Sequence, residues 1–123
     1  MSMRPIFARL FGIVALVAAA ACVLTTSTAR ASDSATLVAS NWTFSHTALT
    51  AHVGVPMTLQ LTSKEGVHGI QSDDLGIPNT MVIPGKTVTV TFTPKKAGTY
   101  VVHCSVPCGS GHATMAFTVN VVP

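Results

Sequence analysis

Charge is scarce in this sequence. Only 9% of its 123 residues are charged, as seven Lys and Arg against four Asp and Glu. Arg4, Arg9 and Arg30 sit near the start, and beyond them Lys64, Lys86, Lys95 and Lys96 face Asp33, Glu65, Asp73 and Asp74. The formal charge of +3 therefore belongs to the N-terminal stretch, and nothing in the remainder offers nucleic acid a basic surface. Also missing is an apolar run of the roughly 20 residues that span a bilayer. The longest, LFGIVALVAAAACVL from Leu10 to Leu24, is 15 residues. From Ala35 onward there is no helical period, no internal repeat and no low-complexity segment.

What the first residues do contain is the grammar of export. A basic start, the short apolar run and Ala29-Arg30-Ala31 as a small-x-small site predict a signal peptide over residues 1–31, cleaved after Ala31. A short membrane anchor is the alternative if the leader is retained. Cys22 matches a lipidation site only weakly, because Ala stands three residues before it where Leu is expected. Residues 32–123 then form one domain.

That domain is rich in Val and Thr, a composition of sheet. Short runs such as PMTLQLTS, KTVTVTFT, GTYVVHC and MAFTVNVV are divided by turn residues at Val53-Gly54, Pro84-Gly85 and Pro94 to Gly98. In KTVTVTFT, Val88, Val90 and Phe92 share one face and the threonines the other, as in a strand with one wet side. The pattern predicts an all-β Greek-key sandwich of about seven or eight strands. The stretches Lys64 to Gly85 and Cys104 to Met115 read as loops at one end of it.

The second loop, CSVPCGSGHATM, carries chemistry. Cys104, Cys108, His112 and Met115 supply thiols, imidazole and thioether within a dozen residues, a donor set that suits copper. His68, in the first loop, is the natural further ligand. Pro107, Gly109 and Gly111 let the loop turn several side chains toward one point. Two rivals stand beside copper. Exported cysteines commonly pair as a disulfide, and Cys104, Cys108, His112 and His68 could hold tetrahedral zinc, although zinc has little use for Met115. His103 should point away from its neighbour Cys104, His46 and His52 read as surface, Met57 and Met81 as fillers of core or loop, and Trp42 as a core or rim residue.

Cys104-x3-Cys108-x3-His112-x2-Met115, after Gly98-Thr-Tyr and, further upstream, Gly66-Val-His68-Gly and Ile83-Pro-Gly85, resembles the CuA domain of cytochrome c oxidase subunit II over roughly Ser40 to Val122. The resemblance implies a cupredoxin sandwich in which the two thiolates bridge two copper ions. It implies that one copper takes His68 and Met115, and the other His112 and the carbonyl of Val106. Many oxidase subunits carry Glu where Val106 stands, beside a magnesium site, so no magnesium is expected here. The implied function is electron transfer, with a c-type cytochrome or another cupredoxin as redox partner and oxidase subunit I as a neighbour. A mononuclear blue-copper carrier and a copper-delivery protein are the alternatives.

Overall fold

The computed structural model describes residues 31–123. The expected leader, apart from Ala31, and Cys22 within it lie outside the described residues. Nine strands follow in order: β1 Asp33–Ser40, β2 Thr43–Phe44, β3 Ala48–His52, β4 Met57–Ser63, β5 His68–Ser72, β6 Ile77–Val82, β7 Thr87–Phe92, β8 Gly98–Cys104 and β9 Ala116–Val122. A single 3-10 turn, His112–Thr114, precedes β9. The strands form two sheets, β2-β1-β4-β7 and β3-β9-β8-β5-β6. Two pairings, β1 with β4 and β3 with β9, are parallel. This is the Greek-key sandwich that the alternating runs predict, and no helix among the described residues is long and apolar enough to cross a membrane.

Alternation makes the core. Met57, Leu59 and Leu61 turn inward from β4, and Phe117, Val119 and Val121 from β9, while their neighbours face outward or sit at the margin. Phe44 and Phe117 meet edge to face across the sheets, with ring centroids 5.1 Å apart. Each such side chain contributes about 1.5–3 kcal/mol by leaving water. In β7 the inward faces of Val90 and Phe92 and the outward threonines match the sequence pattern.

One expectation needs correcting. Residues 64–85 are not a plain loop: they contain the β5–β6 hairpin, paired from His68 with Val82 to Ser72 with Ile77 and bulged between Ile70 and Ser72. With the short β3, this hairpin raises the strand count above the seven or eight expected. It also places His68 on the first position of a strand, where the sheet fixes its backbone.

The registers define two poles. Ser40, Ser63, His68 and Cys104 end or begin strands at one pole, and Asp33, His52, Met57 and Val122 gather at the other. There the His52 backbone N–H and Nδ1 both meet Asp33 Oδ2, at 3.0 and 2.9 Å.

Candidate metal centre

The donor atoms collect at the first pole because two strand ends and one loop converge there. Cys104 closes β8 and follows the inward position Val102, so its side chain enters the core; it is buried, whereas His103 is exposed, as alternation requires. Met115 is fully buried just before β9. The Cys104 N–H donates to the Met115 carbonyl at 2.9 Å, which ties the two ends of the loop together.

Between these ends the chain must make a tight excursion. Gly109 has φ +124°, a conformation that favours glycine, and the 3-10 turn is closed by the His112 N–H on the Gly109 carbonyl and the Met115 N–H on the His112 carbonyl. Trp42 covers this excursion. Its Nε1–H donates to the Cys108 carbonyl at 3.0 Å, and a Cβ on Gly111 would fall 2.5 Å from its Cγ. Trp42 is thus a rim residue packed on the loop backbone, and the glycines of CGSG are what make room for it.

The result is a chain of donors in contact. Cys104 Sγ and Cys108 Sγ are 3.6 Å apart, and both thiols are free. His68 Nδ1 lies 4.0 Å from Cys104 Sγ, and the Cys104 thiol donates to the Val106 carbonyl at 3.3 Å. On the other side His112 Nδ1 is 3.6 Å, and Met115 Sδ 3.9 Å, from Cys108 Sγ. All six positions singled out in the sequence come together. His46, His52 and His103 stay outside at the surface, Met57 joins the core, and Met81 stands exposed on β6.

His68, Cys104 and Cys108 offer donor atoms all within 4.8 Å of one another, a group able to hold a copper ion. The thiol separation is well beyond the ~2.05 Å of a disulfide. Burial, with the hydrogen bond and charge of Cys104 added, pushes the Cys108 thiol up to about 11.

His68 is held from behind. Its Nε2 lies 2.8 Å from the Glu65 carbonyl, an oxygen that only accepts, so Nε2–H donates to it and Nδ1 is the ring nitrogen turned toward the thiols. Sequence reading misses the turn that does this, because its groups are main-chain carbonyls and a serine, Ser63, with no ligand character of their own.

The pattern of the cupredoxin-like domain matches residues 12–115. This chain belongs to the cupredoxin-like family. Among individual relatives, this cupredoxin is 35% identical over 68 residues to cytochrome c oxidase subunit 2 of Thermus thermophilus, covering 55% of this chain and 50% of that protein. The chain spans half or less of the length of the curated relatives it matches. Among solved structures it superposes on a chain of a heme-copper terminal oxidase dimer with a TM-score of 0.64 at 30% identity, covering 73% of this chain and 65% of that one. It shares the fold of the periplasmic domain of subunit II of the Bradyrhizobium japonicum cytochrome oxidase, with a TM-score of 0.67 at 18% identity and coverages of 76% and 86%. The cupredoxin is therefore related to oxidase subunit II, and its soft donor set fits copper.

Proposed function

We propose that this cupredoxin is an exported electron-transfer protein with a binuclear copper centre of the CuA kind. The observation that carries the reading is the pair of free thiols 3.6 Å apart, flanked by donors at both ends of the S–S axis. His68 Nδ1 and the Val106 carbonyl lie by Cys104, and His112 Nδ1 and Met115 Sδ by Cys108. His68 with Met115 would serve one ion, and His112 with the Val106 carbonyl the other. When bound, the copper pair supplies a one-electron couple shared over two ions.

The chain's own contribution is rigidity. Cys104, Met115 and His68 are buried and fixed by strand pairing and by the loop-closing hydrogen bonds, so they have little freedom to rearrange when charge changes. Half-buried Cys108 and His112 form the side of the cluster nearest solvent. That is where a partner's electron would enter or leave. We take the donor to be a c-type cytochrome or another cupredoxin, and the acceptor an oxidase subunit I. Residues 1–31 would direct export and be removed after Ala31, which intact-mass measurement of the native protein checks directly.

The test is copper stoichiometry together with visible and paramagnetic resonance spectra of the copper-loaded protein. Two coppers per chain and a spectrum delocalised over both would support the reading, and a one-copper spectrum would refute the binuclear centre. A mononuclear blue-copper carrier, using one cysteine with His68, His112 and Met115, has one observation in its favour: the donors are close-set enough that those of His68 and either thiol fall within 4.8 Å of each other. In that case one of the single variants Cys104→Ser and Cys108→Ser would keep an intense blue site, whereas a bridged pair loses its spectrum with either.

A further inference from the structure

Ser63 and His68 are the buried polar residues among those described, at 7% and 0% exposure. A buried hydroxyl is costly unless it is hydrogen-bonded, and that of Ser63 has unusual partners. It lies 2.7 Å from the Gly66 carbonyl and 3.0 Å from the Glu65 carbonyl. The Glu65 carbonyl is the same oxygen that receives His68 Nε2–H. Serine and histidine thus converge on one carbonyl of the same turn.

We propose that Ser63 is a positioning residue for the metal centre, its hydroxyl aiming the Glu65 and Gly66 carbonyls so that His68 is held with Nδ1 toward the thiols. The proposal rests on the copper reading only for its second readout below.

Three features make Ser63 a firm point from which to aim them. Its main chain is paired with Ala39 on β1, it forms a further bridge with Pro84, and the next residue's N–H donates to the Ala39 carbonyl. The turn beyond it is tight: Gly66 has φ +75°, and a Cβ there would lie 2.7 Å from Asn41 Oδ1 and 3.0 Å from His68 Nε2. The hydrogen bonds of the Ser63 hydroxyl go to the Glu65 and Gly66 carbonyls and not to the donor atoms, so it acts through the turn.

Ser63→Ala and Ser63→Thr separate positioning from simple packing, because only threonine keeps the hydroxyl. The first readout uses the metal-free protein: exchange of the His68 Nε2 proton with solvent, followed by ring-nitrogen NMR. The alanine variant should exchange this proton at least about tenfold faster, with threonine close to wild type. The second is the rate at which a strong chelator strips copper from the loaded protein, and loss of a group that orients a ligand should speed it roughly ten- to a hundredfold. Thermal unfolding of each metal-free variant controls for stability. Unchanged ring-proton exchange and unchanged copper release in Ser63→Ala, even with a lowered melting point, would overturn the proposal. If the wild type takes up no copper, the copper reading fails, while the ring-proton measurement still decides the role of Ser63. Should Ser63→Ala not fold, Ser63→Cys, similar in size with a weaker donor, replaces it in that measurement.

Discussion

Cys108 must give up a proton before it can bind a metal, and its surroundings make it hold that proton. With the thiol pushed up to about 11 from its ordinary 9.0, copper loading near neutral pH expels this proton, and affinity rises with pH. The same shift acts on the metal-free fold. Because the folded state binds the proton more tightly than the unfolded one, the associated stability is complete below about pH 9 and is lost as pH rises toward 11. Thermal unfolding of the metal-free protein across that window should therefore show a falling midpoint, and Cys108→Ser should flatten the fall. A wild-type midpoint independent of pH over this range would contradict the burial of that thiol.

At the scale of the element, the ligand loop and the turn carrying Trp42 form one packed unit. Gly111 has an ordinary backbone conformation, with φ −94°, so alanine there is excluded only by the indole it would strike. Gly111→Ala should cost about 1–3 kcal/mol, the usual range for overpacking, and displace Trp42. Since this is the chain's one tryptophan, its fluorescence reports the change directly: emission should move to the red, and an unshifted spectrum would mean that the loop yields instead.

Elements also show what was legible in the sequence. β7 could be read because valine and phenylalanine alternate with threonine without interruption, and the ligand loop because thiols, imidazole and thioether have few other uses at that spacing. The β5–β6 hairpin could not. Its alternation is broken by the bulge after Ile70, by buried Gly69 with no side chain to show its face, and by Met81 turned outward at 59% exposure. Residue type still marks His68 as a candidate ligand, but its place on a strand, and hence its rigidity, depends on pairing between residues far apart in the chain.

Over the whole molecule, the two sheets bury a continuous core in which Cys104 and Met115 alone belong to the candidate metal centre, the rest being apolar side chains that need no ion, and no buried side-chain nitrogen or oxygen among the described residues lacks a partner. The metal-free protein should consequently remain folded. Far-ultraviolet circular dichroism is expected to be unchanged on copper removal, while the thermal midpoint drops by the amount that ligand linkage dictates. Loss of the β signal on chelation would make copper a structural requirement.

The two poles have a further consequence. Asp33 and Val122 lie together at one of them, and β1, eight residues at about 3.3 Å each, runs roughly 26 Å before the chain reaches Trp42 and the thiols. Fastened to a surface through either end of the domain, the protein would present its donor atoms to the solution rather than to the support. On the proposed electron-transfer reading, a mobile partner would then reach the donor atoms more readily than a support of electrode material would.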